Sequence, residues 1–408
     1  MAPLRILQLC NKPPLPAKDG GCLAMLRMTE GFLSAGHEVT VLSIATDKHP
    51  WQPEKIAPAF KAAAKMDAVH IDTSVRWLPA FLALFKTTSY NIDRFYSLGF
   101  EARLIEILSR NEFDIVQLES LYLCPYISAI RRLSKARIVL RAHNTESAIW
   151  MKNASEEADP FKKLWFRDLA GKLERYEQKA IAEVDAIVTI TADDEVRLRD
   201  LGAKVPMHVA TYAMLKSKES GTANSVLPGN GIIEPRTVFH IGSMDWKPNY
   251  DGVKWFLKDV WPVVMQKVPD VILHLAGKSM NKEEFSGLPG VVSHGEVEDA
   301  GKFLSSYNIM IVPLNGGGGV KVKMIEGMFA GKAIVTTSVG AEGIAGIPGK
   351  DFMLATDAKS FADNIVNLID NPELAKEIGI NAQKTASENH ELSRVTGKLC
   401  DFYRTILR

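Results

Sequence analysis

The chain has little cysteine, no long apolar run, almost no net charge and no dinucleotide fingerprint. Cys10, Cys22, Cys124 and Cys400 are far apart and form no C-x-x-C, so the spacing suggests neither a disulfide framework nor a zinc site. That usage fits a reducing compartment, and a cytoplasmic protein is the expectation. No apolar run reaches the roughly 18 residues that signal a membrane span, and no charged n-region with an apolar h-region opens the chain. The net charge of +1 gives no global field for nucleic acid. No G-x-G-x-x-G follows either candidate opening strand, which disfavours a dinucleotide-dependent dehydrogenase.

What is present is a soluble composition, 46% hydrophobic and 24% charged, over 408 residues, enough for two or three domains. Apolar runs at 4–9, 38–44, 114–119, 137–142 and 185–190 are rich in Ile, Val and Leu and do not alternate strictly, as in parallel strands buried on both faces. Helical patterns at 22–36 and 160–181 fall between them. After a Ser-, Gly-, Asn- and Pro-rich linker at 215–235 the alternation restarts, with strands at 237–242, 270–276, 290–294, 308–314 and 333–338. Helices are expected at 250–268, 296–306, 320–331, 358–370 and 380–408. The fold class is therefore α/β, with two doubly wound, Rossmann-like domains. The expected division is 1–214, linker 215–235, 236–385, and a C-terminal helix at 386–408 able to cross back to the first domain. Ligands of such sheets bind outside the carboxyl ends of the strands. Two such domains in tandem would place those edges across a shared cleft.

The stretch NGGGGVKVKMIEGMFAGK (315–332) carries the chemistry. Four glycines lead into a predicted helix whose first turn holds Lys321 and Lys323. Cations are disfavoured there, because a helix N-terminus is itself partly positive. An anion above the helix resolves the conflict, since free amides and two ammonium groups suit a diphosphate. Glu326 lies one turn below, placed for ribose hydroxyls. The competing reading is a solvated basic turn with a Lys323–Glu326 surface ion pair, worth little. Lys321 falls within the apolar arc of Val320, Met324, Ile325, Met328 and Phe329, so it is expected to point out of the first turn. The segment EGMFAGKA is not a P-loop: Glu326 replaces the first glycine and Ala333 the Ser or Thr.

The block PLNGGGGVKVKMIEGMFAGKAIVTTSVGAEGI resembles the donor-binding signature of retaining glycosyltransferases of the GT-B fold, specifically glycosyltransferase family 4. GSMDWKPNYDGVKWFLKDVWP (242–262), GEVEDAGKFLSSYNIMIVPL (295–314), AGHEVTVLS (35–43), RAHNTES (141–147) and YEQKAIAEVDAIVTITADDE (176–195) agree in the family's order. The resemblance spans nearly the whole chain, and 311–344 is its most specific part. It implies sugar transfer from a nucleotide-sugar, a UDP- or GDP-sugar, with anomeric configuration kept, no metal and no cofactor. It also implies that Glu326 holds the donor ribose, that Lys323 contacts the diphosphate with help from the amides of Gly318 and Gly319, and that Gly20 and Gly21 approach the donor from the other domain. His143 corresponds to a histidine near the transferred sugar, and the backbone around Val297 to the edge that reads the base.

Two positions depart from the family. Gly318 stands where a carboxylate is frequent and Met244 where an Arg is frequent, with Lys321 a candidate to compensate. Both leave room for a nucleotide-sugar-binding protein that has lost catalysis; a third reading, an epimerase of the same fold acting on a nucleotide-sugar, would need extra acid–base residues around the sugar. His37 reads as structural, and Asp193 and Asp194 as a helix cap. Glu146, Glu177 and Glu342 receive no firm role. The acceptor is a glycan, a lipid-linked sugar or a small molecule. Residues 76–97 and 158–179 mix aromatic, aliphatic and basic side chains, which suits either peripheral contact with an anionic membrane or a helix packed on its sheet with its basic face in solvent.

Overall fold

The computed structural model describes residues 2–74, 89–215 and 236–408. The linker, beyond Leu215, and much of the 76–97 stretch lie outside the described residues.

Seven parallel strands form the first sheet: β1 (Arg5–Cys10), β2 (Glu38–Ala45), β3 (Met66–His70), β4 (Ile115–Glu119), β5 (Arg137–Ala142), β6 (Ala186–Thr189) and β7 (Met207–Val209). Their spatial order is β3-β2-β1-β4-β5-β6-β7. Six form the second: β8 (Thr237–Ile241), β9 (Ile272–Ala276), β10 (Val291–Gly295), β11 (Ile309–Val312), β12 (Ala333–Thr337) and β13 (Met353–Ala355), in the order β10-β9-β8-β11-β12-β13. The order reverses between β1 and β4 in one sheet and between β8 and β11 in the other. At each switch point the connections leave to opposite sides and open a crevice at the carboxyl ends. The central strands are buried throughout, as their uninterrupted Ile, Val and Leu runs require. Strands β3, β7 and β13 were not foreseen; each lies at or near a sheet edge and is short, with only half-buried residues over much of its length.

The chain divides into two compact units: one runs to Ala213 and takes in Leu392–Arg408, the other is Met214–Glu391. The single helix expected at 380–408 is two helices, Pro372–His390 and Leu392–Leu407, meeting at Glu391. Ala375, Ile378, Ala382 and Ala386 of the former pack into the second unit, so the return to the first unit comes at Leu392 rather than 386. Gly31 makes that return possible: a Cβ there would stand 2.1 Å from Thr396 Oγ1, so its helix, Gly20–Ser34, accepts the C-terminal helix only with no side chain at this point. Deeper in, the Tyr403 hydroxyl donates to Gln117 Oε1.

The helix foreseen at 250–268 is interrupted. Lys247–Trp255 passes into a π turn, Phe256–Val260, before Trp261–Lys267. Pro262 supplies no backbone N–H, which frees a carbonyl one turn earlier and loosens the ladder there.

Candidate active site

In the second unit the site is built at the β8/β11 switch point. Gly242 follows β8, and the glycine loop 316–319 follows β11 and leads to the helix Val322–Phe329. Met324, Ile325 and Met328 are fully buried and pack one face of that helix into the core. Gly327 brings it against the sheet, because a Cβ there would meet Met310 Sδ at 2.6 Å. Lys323 and Glu326 are thereby held on the open side, where with Gly242, Asn249, Gly301 and Leu304 they line a cavity of about 260 Å³.

Lys323 Nζ donates to Asn249 Oδ1 and lies 6.0 Å from the centre of the Trp246 ring. Burial pulls the Lys323 ammonium down to about 7; Glu326 opposes that shift and the charge of Lys321 adds to it. The tight approach is backbone-enforced: a Cβ on Gly242 would come within 2.7 Å of Lys323 Nζ.

Lys321 does not point out of the first turn. It is the N-cap residue of the helix, 3% exposed, with its ammonium folded back on the Gly317 and Gly319 carbonyls and 3.5 Å from Glu342. Carbonyl oxygens and a carboxylate stabilise the buried charge better than an apolar arc or an outward path along it could. Its evident work is to brace the glycine loop. The helix starts at Val322, so Gly318 and Gly319 belong to the loop and not to the first turn. Gly319 has φ +74, a left-handed conformation that favours glycine. Gly318 is different: a Cβ there meets nothing, so space does not explain the missing carboxylate. Met244 is 8% exposed and packs in the core of its unit, and its side chain is not part of the cavity lining. Val297, between β10 and the helix Ala300–Ser305, packs on the cluster around Phe239 and Phe303.

The first unit holds the other residues singled out from sequence. Gly20 and Gly21 open the helix Gly20–Ser34, whose N-cap, Asp19, accepts from the Cys22 amide at 2.9 Å. Both Asp19 oxygens also accept from Lys12 Nζ, at 2.7 and 2.8 Å, and a Cβ on Gly21 would stand 2.8 Å from that ammonium. Asp19, Cys22 and His49 are grouped closely enough to share an ion, but the Lys12 ammonium already lies on the carboxylate. Beside them, at the carboxyl ends of β1 to β3, is a cavity of about 460 Å³ lined by Asn11, Lys48, Asp72 and Arg94 among others, with Phe95 as its aromatic wall.

His143 follows β5, and its Nε2 is 2.7 Å from Glu119 Oε2. A carboxylate only accepts, so Nε2 carries the proton and Nδ1 is left as the ring's acceptor. Glu119 also accepts from Arg141 Nη1 at 2.9 Å and from the Gln8 and Gln117 amides. Burial would raise the Glu119 pKa, yet the Arg141 charge and the His143 bond outweigh it and bring it to about 2. Burial lowers the His143 pKa against the pull of Glu119, so the ring is neutral near pH 7. Sequence reading missed Glu119 and Arg141. The signal was there: a charged residue ends DIVQLE and another interrupts RIVLRA, each beside Ile, Val and Leu that mark a buried strand. Asn249 and Trp246 were missed as well, since neither stands out in the sequence.

Nearby, burial raises the Glu146 carboxyl to about 7, with the Tyr122 hydroxyl opposing the shift and Glu177 and Asp194 adding to it. Asp194 accepts from the Thr145 and Thr191 hydroxyls, while Thr191 is the N-cap of the helix Ala192–Asp200. His37 Nδ1 accepts from the Leu4 amide, a structural contact.

Two family descriptions match the chain in tandem: "Glycosyl transferase 4-like domain" over residues 20–213 and "Glycosyl transferases group 1" over 235–371. An uncharacterised 44.6 kDa protein in the cps region of Klebsiella pneumoniae is 26% identical, over 96% of this chain and 97% of its own. A phosphatidyl-myo-inositol mannosyltransferase of Mycobacterium tuberculosis is 27% identical over 42% of this chain and 47% of its own. Among solved structures, a sucrose-phosphate synthase from Thermosynechococcus elongatus superposes with a TM-score of 0.68 at 15% identity, covering 98% of this chain and 99% of that one. Anabaena HepE, solved with UDP, gives 0.64 at 12% identity over 98% and 100%. The two parallel-sheet domains are those of the GT-B fold. The chain belongs to the group 1 glycosyltransferases, of the glycosyltransferase family 4 type.

Proposed function

We propose that the protein moves a sugar from a UDP- or GDP-sugar to a glycan or lipid-linked acceptor, with retention of configuration and without a metal. The observation that carries this is the cavity in which Lys323, Asn249 and Glu326 converge beside the Gly242 turn at the β8/β11 switch point. The solved structures of HepE and of an E. coli trehalose-6-phosphate protein hold UDP, UDP-glucose or a fluorinated UDP-glucose, which supports a nucleotide-sugar here.

In this reading the donor diphosphate lies against Lys323 and the glycine loop that Lys321 braces, and Glu326 accepts from the ribose hydroxyls. As the bond between the anomeric carbon and the phosphate oxygen breaks, negative charge grows on the diphosphate, and Lys323 stabilises it most at that moment. The acceptor oxygen bonds to the anomeric carbon on the same face, and its proton passes to the departing phosphate oxygen. Neutral His143, its ring held by Glu119, keeps Nδ1 as an acceptor for a sugar hydroxyl. The cavity walled by Phe95 suits the acceptor, since it combines an aromatic face with amide, carboxylate and cationic groups that match sugar hydroxyls. Phe161 and Leu164, 85% and 68% exposed beside Lys162 and Lys163, favour an acceptor presented at a lipid surface.

Replacing Glu326 with Ala is expected to weaken UDP or GDP binding about 10- to 100-fold, the value of a charged hydrogen bond. Calorimetry on the folded variant checks it, and unchanged affinity would refute the ribose assignment. Activity is also expected to survive excess EDTA, because protein cations serve the leaving group; loss that a divalent ion restores would overturn that part.

The buried, apolar Met244 keeps a second reading alive, a protein that binds the nucleotide-sugar without turning it over. Release of nucleotide from a bound donor, even by slow hydrolysis, separates the two.

A further inference from the structure

His240 on β8 is fully buried, and the donor-site reading leaves it without a role. Its Nδ1 lies 3.0 Å from the Ile311 carbonyl oxygen across the switch point. A carbonyl only accepts, so Nδ1 carries the proton and Nε2 is a lone pair. That Nε2 has no hydrogen-bond partner. A buried polar atom left unpaired in a well-packed core calls for a reason.

Its direction supplies one. A Cβ built on Gly242 would lie 3.0 Å from His240 Nε2, 2.7 Å from Lys323 Nζ and 2.9 Å from Asn249 Nδ2, so three side chains converge on one point beside the cavity. The Asn249 amide nitrogen is engaged by the Ser243 carbonyl at 2.8 Å, and its oxygen takes one proton of the Lys323 ammonium. His240 Nε2 is a further acceptor beside the same point, unpaired and on the side where the ammonium lies.

We propose that His240 is a positioning residue for Lys323, its Nε2 lone pair accepting an ammonium proton when the donor diphosphate draws the lysine into its charged form. The inference rests on the reading of this cavity as the diphosphate site. Other groups facing Lys323 are Glu326, which supports its charge, Lys321, which opposes it, and the Trp246 ring. His240 itself does not titrate in the working range: burial, with the Lys323 charge adding, lowers it to about 3 against the pull of the Ile311 carbonyl. Its Nε2 can therefore only accept. Lys323 is the group that takes up the proton as the anion arrives, and a neutral acceptor behind it makes that uptake easier without competing for the phosphate.

The test is UDP or GDP binding, by calorimetry, from about pH 6 to about pH 9. In the wild type, affinity is expected to fall as pH rises through the ionisation of Lys323. In His240→Phe, which keeps a buried ring but no acceptor, the midpoint should move down by about one pH unit, with affinity at pH 7.5 reduced about tenfold. His240→Gln, which restores an acceptor, should stay within about threefold of wild type. If the Phe variant does not fold, His240→Leu makes the same comparison. Wild-type binding with an unmoved midpoint in a folded acceptor-less variant overturns the inference alone, for His240 would then only fill the core. Absence of binding to either nucleotide in the wild type overturns the donor-site reading and this inference with it.

Discussion

Lys323→Met is expected to lower turnover at saturating donor by about 10²–10³ while leaving the empty protein more stable. Turnover suffers because the lost charge acts mainly on the diphosphate as it departs, the situation in which a preorganised group is worth most. Stability gains because the empty site disfavours the cation. The Lys323 pKa is about 7 in the folded protein against 10.5 ordinarily, so between those values the unfolded chain binds the extra proton. Stability therefore rises with pH across that window, and the penalty is fully present below pH 7. The variant should melt higher by roughly 2–4 °C for each kcal/mol relieved, most clearly near pH 6, and the difference should shrink toward pH 10. A variant that melts several degrees lower and keeps its rate would make Lys323 a structural partner of Asn249 and Glu326, and the donor assignment would fall.

The second large effect is expected in the other unit and has the opposite sign. Glu119→Leu leaves the fully buried Arg141 guanidinium without its carboxylate and His143 without the bond that orients it. Breaking a buried pair by removing one partner costs about 3–5 kcal/mol. In this case the melting temperature should fall by roughly 6–20 °C. The pH dependence gives an independent check. The Glu119 pKa is lowered to about 2 from 4.5, so its contribution is present above pH 4.5 and is lost as pH falls through that window toward 2. A shift of that size corresponds to about 3 kcal/mol. Glu119→Gln should lack this part of the acid dependence. Melting temperatures measured between pH 3 and 7 in wild type and both variants decide it; a Leu variant that melts within a degree or two of wild type would show that Arg141 has found another partner.

These two carboxylate and ammonium sites differ in how far the sequence disclosed them. Lys323 and Glu326 share one short segment, and helical periodicity alone puts them on the side opposite Met324, Ile325 and Met328. Local order was enough because every relevant residue is on the same helix. The same holds for the central strands, where continuous Ile, Val and Leu runs can be satisfied only by burial on both faces. Among the glycines before the helix, Gly319 adopts a left-handed conformation that favours its residue type.

Lys321 shows where that reasoning stops. Periodicity placed it in the apolar arc and left it one escape, outward, but the loop supplied another in the Gly317 and Gly319 carbonyls and Glu342. Loop carbonyls have no signature in a sequence, since every residue has one. Glu119 and His240 were hidden for a related reason: each gets its meaning from a neighbour brought in by parallel pairing, His143 and Arg141 from β5 and its end for one, Ile311 on β11 for the other.

The sequence by itself determined the two doubly wound domains, the switch from strand to helix periodicity that defines them, and the basic helix led by glycines. Those depend on contacts within a few residues or on the polarity of a run. The tertiary structure decided the strand order, the return of the C-terminal helix to the first unit at Leu392, and which polar side chains face one another across strands. Those are long-range pairings, fixed only when packing and the need to satisfy buried charges select one arrangement from the many that the local pattern allows.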